Sequence, residues 1–448
     1  MVDTTIPTRT SGHNQLQSLK EQLRSVTSFP AQVKTDSRLP AGTNVSDWLA
    51  AQPFETKVLW SDRESSDTVV GAGLARRLVA DSSQNMDDVV LQCRQILADS
   101  TDLRFYGGFS FRRDEHVQSR KWRPFRHAQF VLPRFTHDGT TLSCTVMDEK
   151  DFEQAEQDID SLETSVTSLS PSPKLVQRVD LPSKADWQAN IEDAIELFES
   201  EIVEKVVLAR RADFTFDRPL SPIRLVQRLM AATTACYHFC FQLDHGTAFV
   251  GATPERLIKR HGSRLLSEVV AGTRPRGLTE SEDRRLAQEL LSSAKDQLEH
   301  DIVRKSIRQR LHKYVNALEV DSQASLLKLA RKQHLYSGVR ATLKDGVSDG
   351  ELLERLHPTP AVGGYPTENA LAEIARIEQF DRGWYAAPIG WITSDAAEFA
   401  VAIRSGLVSD RELSLYSGAG IVPGSKADEE WCEIEHKIRD FLDVMQTS

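Results

Sequence analysis

Two strand–turn–strand patterns in close succession constrain the fold of this chain more than any other feature. Residues 238–243 (HFCFQL) and 247–252 (TAFVGA) are separated by DHG, and residues 256–260 and 264–270 repeat the form around HGS. Apolar runs joined by three-residue turns that contain glycine predict antiparallel hairpins. Long helical patterns follow, without the regular alternation of strand and helix that is typical of parallel sheets. The sequence therefore predicts an α+β fold.

Two long helices are predicted in the second half of the chain, because apolar residues recur there at helical spacings. The first is expected from residue 280 to about residue 315, and the second from about residue 427 to residue 445. The apolar face of the first consists of Leu286, Leu290, Ala294, Leu298, Ile302 and Leu311. The apolar face of the second consists of Trp431, Ile434, Ile438, Phe441 and Met445.

Polar stretches mark the expected organisation of the chain. Residues 1–15 are expected to form a flexible N-terminus. Residues 161–174 are rich in Ser, Thr and Pro, which is typical of a loop or linker. This segment separates an N-terminal part, residues 16–174, from a C-terminal part, residues 175–448. Short strands are predicted in the N-terminal part near residues 68–71, 103–111 and 129–132, and a helix is predicted over 85–98.

Charge and cysteine content exclude several classes of protein. The 55 basic and 65 acidic residues give a net charge of -10, so nucleic acid and anionic lipid are not attracted in general. An anionic substrate would need a local basic pocket. No run of about 18 apolar residues predicts a spanning helix, and the first residues lack the apolar core of a signal peptide. Five scattered cysteines do not indicate a disulfide framework, and we expect a cytoplasmic protein.

Acidic residues border the apolar faces of both predicted long helices. Glu430, Glu433 and Lys437 share one face of the second helix. Asp296 and Glu299 are three residues apart on the first. Carboxylates that meet across a cleft are ligands that Mg²⁺ takes together with water and an anionic substrate. The spacing also fits two solvated helix faces, with Glu433 and Lys437 as an i, i+4 pair.

Two charged residues are predicted in apolar surroundings. Lys205 lies in IVEKVVLARR, which predicts a buried strand; burial disfavours the charged form of lysine and would let it act as a general base. Glu255 follows a strand and a proline in GATPERL, where a raised pKa would make it a proton donor. The alternatives are a lysine whose amine reaches solvent and a glutamate that pairs with Arg256 or lies at the surface.

A carboxylate-binding site is indicated near the end of the chain. Gly418, Gly420 and Gly424 in YSGAGIVPGS leave backbone N–H groups accessible to an anion, although glycines also suit tight turns. Arg404 in VAIRSG can form a forked contact with a carboxylate or a structural ion pair.

Taken together, these segments resemble the chorismate-utilising enzymes, a family of isochorismate, salicylate, anthranilate and aminodeoxychorismate synthases. The resemblance covers residues 180–446. It rests, in chain order, on KVVLAR, GATPERL, AGTRPRG, the pair Glu299 and His300, LHPTPAVGGYP, FDRGWYAAPIGW, VAIRSG and SGAGIVPGS followed by EW. In the N-terminal part, YGGFSF at 106–111 with WRPF and FVLPR over 122–134 resembles the menaquinone-type isochorismate synthases.

The resemblance implies one large α+β domain, with two sheets packed face to face, helices outside, and segment 161–174 as a loop. It implies a dicarboxylate substrate, chorismate, and a Mg²⁺ ion that bridges one substrate carboxylate to Glu299 and Glu433, with Asp296 and Glu430 close by. The enolpyruvyl carboxylate would contact Arg404, Tyr385 and the backbone N–H groups of Gly418 and Gly420. The implied substrate-binding residues are Thr273, His357, Tyr385, Arg404, Gly418, Gly420 and Lys437.

Three positions distinguish the members of this family. Lys205 stands where the water-using members carry lysine and the ammonia-using members carry glutamine. Ala271 stands where aminodeoxychorismate synthases carry a nucleophilic lysine, and residues 357–364 agree with isochorismate rather than salicylate synthases. The resemblance thus implies that Lys205 takes a proton from water that attacks C2 of the ring, while Glu255 donates a proton to the departing C4 hydroxyl.

Other interpretations stay open at this point. They are a salicylate synthase, a siderophore-pathway isochorismate synthase, and a non-catalytic binding protein that kept the fold. The last is disfavoured because Lys205, Glu255, Glu299 and Glu433 are all intact. The N-terminal motif favours menaquinone biosynthesis, and the resemblance further implies a monomer that needs no protein partner.

Overall fold

The computed structural model describes residues 9–40, 42–64, 68–100, 102–112, 119–163, 173–244, 246–330 and 332–446. Within these ranges the α-helices are α1 Arg9–Leu23, α2 Val45–Ala51, α3 Met86–Leu97, α4 Phe152–Asp160, α5 Lys184–Glu199, α6 Pro222–Ala232, α7 Glu280–Ser292, α8 Ala294–Leu311, α9 Asp349–Leu356, α10 Thr367–Ile377 and α11 Ala427–Gln446.

The strands of the same ranges are β1 Ala31–Asp36, β2 Lys57–Ser61, β3 Thr68–Ala72, β4 Arg76–Ala80, β5 Phe105–Phe109, β6 Ala128–Leu132, β7 Phe135–His137, β8 Thr141–Val146, β9 Leu175–Leu181, β10 Lys205–Phe216, β11 Tyr237–Asp244, β12 Thr247–Thr253, β13 Arg256–His261, β14 Arg264–Pro275, β15 Val315–Val320, β16 Ser325–Lys328, β17 Lys332–Leu343, β18 Gly364–Tyr365, β19 Pro388–Ile392, β20 Ala396–Val401, β21 Ser405–Ser409 and β22 Glu412–Ile421.

These strands form two sheets. Sheet I has twelve strands in the order β1-β8-β7-β3-β2-β11-β12-β21-β22-β10-β18, and β9 also pairs with β10. Sheet II has ten strands in the order β15-β17-β14-β13-β20-β19-β5-β6-β4, and β16 also pairs with β17. Both predicted hairpins form antiparallel pairs, β11 with β12 and β13 with β14. The chain passes between the sheets several times, among them from sheet I to sheet II between β12 and β13, and from sheet II to sheet I between β20 and β21.

Aromatic side chains fill the space between the two sheets. Phe241 of β11 and Phe249 of β12 contact Trp384, which precedes β19 of sheet II, at ring-centroid distances of 6.1 and 6.4 Å. All three rings are buried, and the same apolar cluster includes Phe109 and Phe399 of sheet II. Large rings such as these supply much of the apolar area that a core buries. The predicted face-to-face packing of two sheets is confirmed.

Helices lie on the other sides of this double layer. A second apolar cluster joins α1, α2, α5, α6, α10 and α11 to sheet I, whereas α3, α8 and α9 contact strands of sheet II. The predicted helix near residue 85 begins there because Asn85 caps it, and its side chain accepts from the N–H of Asp88. The predicted final helix is α11. The α+β class is therefore confirmed.

The predicted length of the first long helix is wrong. It consists of α7 and α8, which meet at Ser293. This residue is extended (φ -71°, ψ 114°), and its hydroxyl accepts from the N–H of Asp296, so it caps a new helix. The break changes the buried face: Leu298 is 60% exposed, whereas Asp296 and His300 are buried. Val315 belongs to β15.

Both sheets contain strands from either side of segment 161–174, so the N-terminal and C-terminal parts of the chain share them. Residues 164–172 of this predicted loop lie outside the described residues, as do residues 1–8 of the predicted flexible N-terminus; the chain is helical from Arg9. In the described part of the chain, no helix is both long enough and apolar enough to span a bilayer.

Candidate active site

A cavity of about 400 Å³ lies between β14, β22, α8 and α11, beside two of the places where the chain passes from one sheet to the other. Eleven of the thirteen predicted site residues line it. They are Glu255, Thr273, Asp296, Glu299, Tyr385, Arg404, Gly418, Gly420, Glu430, Glu433 and Lys437.

Lys205 adjoins this cavity, because its amine contacts Glu299, which lines it. It is the first residue of β10 and is fully buried, and its Nζ donates to Oε1 of Glu299 at 2.7 Å. A Cβ atom at position 420 would lie 2.8 Å from that Glu299 oxygen and 3.0 Å from Cε of Lys205. Gly420 therefore leaves the space in which the lysine and the glutamate meet.

Glu255 lies at the crossing from β12 of sheet I to β13 of sheet II, and its side chain is buried. Burial raises the pKa of Glu255 to about 8, and the negative charge of Glu268 adds to this effect, whereas Lys205 and Arg404 oppose it. The carboxyl group is therefore protonated at neutral pH. A protonated carboxyl in an enclosed cavity is suited to donate a proton.

Arg404 lies at the return crossing, from β20 of sheet II to β21 of sheet I, and its φ is +49°. Its guanidinium donates to Nε2 of His334 at 2.9 Å. Burial, followed by the charge of Arg404, lowers the pKa of His334 well below its ordinary value. The imidazole is therefore neutral, and its Nδ1 carries the proton toward Oγ1 of Thr273 (3.0 Å) and the carbonyl of Gly272 (3.2 Å).

His334 was not among the predicted site residues. It lies in the segment KQHLYSG of β17, which carries none of the patterns that indicated the other residues. The structure shows that it lines the cavity and links Arg404 to Thr273. Because the guanidinium bonds to a neutral ring here, its positive charge is not neutralised by this contact and can serve an anionic substrate.

Tyr385 and Lys437 approach the same part of β22. Nζ of Lys437 donates to the carbonyl of Gly418 at 2.9 Å, and a Cβ atom on Gly418 would lie 3.2 Å from the hydroxyl of Tyr385. β21 pairs with β22 only as far as Tyr416. Beyond that residue β22 has no β21 partner, and Gly418 and Gly420 lie in this stretch. Such an edge presents backbone N–H groups that can bind an anion.

Each of the four predicted carboxylate ligands forms an ion pair with a cation. The pairs are Glu299 with Lys205 at 2.7 Å, Asp296 with Arg274 at 2.8 Å, Glu430 with Lys295 at 3.4 Å, and Glu433 with Lys437 at 2.8 Å. The charge of Lys437 lowers the pKa of Glu433. The acidic and basic side chains of these four pairs therefore compensate one another's charge.

The donor set of this cavity fits a hard cation. Glu299 of α8 and Glu433 of α11 line the same space. Across the described ranges, no group of three or more His, Cys, Asp and Glu side chains converges as a metal site. Mg²⁺ does not require one, because waters and substrate oxygens complete its shell around one or two carboxylates. Burial and the charge of Glu433 raise the pKa of Glu430, so added positive charge would be favourable there.

The structure does not bring His357 into the cavity. This residue follows the end of α9, and its Nε2 lies 3.1 Å from the carbonyl of Phe111. The two rings also pack edge to face, at a centroid distance of 5.5 Å. His357 lines a separate cavity with Glu354 and Pro358. Its contacts do not support the predicted role in substrate binding.

Known proteins share this fold and site region. The family model for chorismate binding enzymes matches residues 21–446. The isochorismate synthase MenF of Bacillus subtilis is 34% identical over 415 residues, which are 87% of this chain and 88% of that protein. The isochorismate synthase DhbC of the same species is 36% identical over 274 residues, which are 59% of this chain and 69% of that protein.

A solved structure extends the similarity to three dimensions. The menaquinone-specific isochorismate synthase MenF of Escherichia coli superimposes with a TM-score of 0.86 at 28% sequence identity. The match covers 97% of this chain and 99% of that chain. It therefore includes both sheets and the elements around the cavity.

The raised pKa of Glu255 predicts a pH-dependent difference in stability. Between the ordinary carboxyl pKa of 4.5 and about 8, the folded protein keeps a proton that the unfolded chain has lost, so folding weakens as pH rises. Glu255→Gln removes this titration. We expect the free energy of unfolding of Glu255→Gln, relative to that of the parent, to increase from pH 5 to pH 8 by up to about 1.4 kcal/mol per pH unit. Urea denaturation at each pH measures this difference.

Glu319→Gln is the matched control, because it makes the same chemical change at an exposed glutamate. Its stability is expected to run parallel to that of the parent over the same pH range. A difference between Glu255→Gln and the parent that does not change with pH would contradict the raised pKa.

Proposed function

The chain belongs to the chorismate binding enzymes, and from this premise we infer that it is an isochorismate synthase, an isomerase that converts chorismate to isochorismate. The similarity to isochorismate synthases over most of both chains supports this activity. The observation that carries the chemistry is the placement of buried Lys205 and protonated Glu255 around one cavity. A base and an acid on one substrate are what a hydroxyl exchange requires.

In the proposed mechanism, Lys205 removes a proton from water as the water oxygen bonds to C2 of the ring. The ring double bonds shift, the bond between C4 and its hydroxyl breaks, and Glu255 supplies the proton with which that hydroxyl leaves as water. One water is taken up and one is released, so the reaction is an isomerisation. The base role requires an uncharged amine. Glu299 pairs with Lys205 in the structure and would hold the metal in the substrate complex.

We propose that the metal is Mg²⁺, held by Glu299 and Glu433, with Asp296 and Glu430 as further candidates. When bound, it would supply positive charge that anchors the ring carboxylate and offsets charge developing on the substrate. The oxygen-only donor set supports a hard cation of this type.

The second substrate carboxylate is assigned to a different set of side chains and backbone groups of the same cavity. Arg404 and Tyr385 would bind the enolpyruvyl carboxylate, together with backbone N–H groups of Gly418 and Gly420. His334 supports this assignment, because it holds the guanidinium of Arg404 through a neutral ring. Thr273 and Lys437 complete the proposed substrate site through the contacts described above.

Water rather than ammonia is the proposed nucleophile, because Lys205 occupies the position of the base. Ala271 lines the cavity where aminodeoxychorismate synthases carry a nucleophilic lysine, which supports a non-covalent reaction. We propose a role in menaquinone biosynthesis, because the sequence match to MenF of Bacillus subtilis covers 87% of the chain, whereas the sequence match to DhbC of the same species covers 59%. The monomeric state, the cytoplasmic location and independence from a protein partner stay predictions.

Incubation of the protein with chorismate, with and without Mg²⁺, tests the proposed function. Products are resolved by chromatography and pyruvate is assayed separately. We expect isochorismate without pyruvate, and only when the metal is added. Salicylate with pyruvate would move the protein to the salicylate synthases. No turnover with either water or ammonia would contradict an enzymatic function.

Lys205→Ala is expected to abolish turnover while chorismate still binds, because the proposed contacts to the two substrate carboxylates are made by other residues. Turnover is measured by isochorismate formation and binding by calorimetry. Lys121→Ala is the control, since Lys121 pairs with Glu412 away from the cavity and should leave turnover unchanged. Normal turnover by Lys205→Ala would show that Lys205 is not the general base.

Glu433→Gln is expected to weaken metal binding and activity together, because it replaces a charged oxygen ligand by a neutral amide. Calorimetric titration with Mg²⁺ and the metal dependence of turnover both report the change. Asp428→Asn is the control on the same helix, where Asp428 pairs with Lys184 and does not line the cavity. A titration of Glu433→Gln that matches the parent would show that Glu433 is not a ligand.

A further inference from the structure

An ion pair behind the cavity joins the two sheets at the position of Glu255. Arg63 follows β2 of sheet I, and Glu268 lies in β14 of sheet II. NH1 and NH2 of Arg63 donate to the two carboxylate oxygens of Glu268 at 2.6 and 2.8 Å. The side chains are 6% and 0% exposed, and neither lines the cavity. The pair is forked, so its geometry is well defined.

Both members of this pair also hold the main chain on either side of Glu255. NH1 of Arg63 donates to the carbonyl of Pro254 at 2.5 Å. Oε1 of Glu268 accepts from the N–H of Arg256 at 2.7 Å. The peptide groups before and after the glutamate are therefore fixed by one buried ion pair, while the glutamate side chain lines the cavity.

This contact is needed because the chain leaves regular pairing at this point. β12 ends at Thr253 and β13 begins at Arg256, in a different sheet. The carbonyl of Glu255 accepts from the N–H of Val401 at 3.0 Å, but the ladder of sheet I does not continue through this crossing. A buried ion pair is by itself weak evidence for stability, because its desolvation opposes the attraction. Its hydrogen bonds to both flanking peptide groups indicate a positional role.

We propose that Arg63 and Glu268 are positioning residues that set the place of Glu255 in the cavity and thereby its ability to donate a proton. This inference rests on the proposed function of Glu255 as the general acid. A proton donor must lie within hydrogen-bond reach of the group that it protonates. A displacement of about 1 Å can lower the rate about 100-fold, so the backbone that sets this position affects the reaction without touching the substrate.

The pair also acts on Glu255 through charge. After burial, the carboxylate of Glu268 is the group that raises the pKa of Glu255 most, while Lys205 and Arg404 lower it. Tyr385 lines the same cavity as Glu255, and its hydroxyl is neutral because burial raises its pKa. Removal of the Glu268 charge should therefore lower the pKa of Glu255.

The test compares Glu268→Gln and Arg63→Met with the parent in steady-state kinetics with chorismate and Mg²⁺ from pH 6 to pH 9. We expect kcat to fall about 10- to 100-fold in both and KM to change little, because neither residue lines the cavity. An acid must be protonated, so kcat falls as pH rises through its pKa. This fall of kcat is the alkaline limb of the pH profile, and in Glu268→Gln it should occur at lower pH.

Arg63→Lys is the conservative variant and should restore part of the kcat lost in Arg63→Met, since lysine keeps the charge but not the fork. Arg94→Met is the control for removal of a buried ion-pair partner. Arg94 pairs with buried Asp349, outside the cavity. We expect this variant to melt at a lower temperature and to keep the parent kcat and alkaline limb.

The outcomes separate this inference from the proposed function. A parent that forms isochorismate, with Arg63→Met and Glu268→Gln variants that fold but keep the parent kcat and pH profile, would overturn the positioning role alone. Equal losses of melting temperature and kcat in Arg94→Met and the other variants would also overturn it. A parent that forms no isochorismate would overturn the proposed function itself, and the positioning role with it.

Discussion

The face-to-face packing of two antiparallel sheets is the constraint on which the rest of this structure depends. Phe241, Phe249 and Trp384 hold the inner faces together, and burial of large rings makes this the dominant favourable contribution in such a core. Once the sheets are packed, the chain must cross between them. Glu255 and Arg404 occupy two of these crossings, so the packing that stabilises the fold also brings an acid and a guanidinium to one cavity.

The cavity is made reactive by charges that are placed where water is scarce. A carboxyl group deprived of water is harder to ionise, which accounts for the protonated state of Glu255. The same effect keeps His334 neutral, and a neutral ring can accept a hydrogen bond from Arg404. Ionised carboxylates need compensation instead, and Glu299 and Glu433 each have a lysine beside them.

The sequence predicted most of the fold and most of the candidate site. Hairpins were recognisable because strands and turns are short-range patterns, and both are present where expected. The long helix from residue 280 was wrong because a single capping serine, Ser293, interrupts a run whose composition is helical throughout. His357 was assigned to the substrate site by the resemblance alone, and in the structure it packs against Phe111 outside the cavity. His334 and Arg63 carry no local pattern, so only their contacts identify them.

By itself, the sequence determined the fold class, the family and nearly all of the side chains that meet at the cavity, because motifs record residue type and spacing. It could not determine which groups are in contact across the sheets. The Lys205–Glu299 pair joins residues 94 positions apart, and the Arg63–Glu268 pair joins residues 205 positions apart. Only the tertiary structure decided these partners and the protonation of Glu255, since both depend on which distant groups exclude water from one small volume.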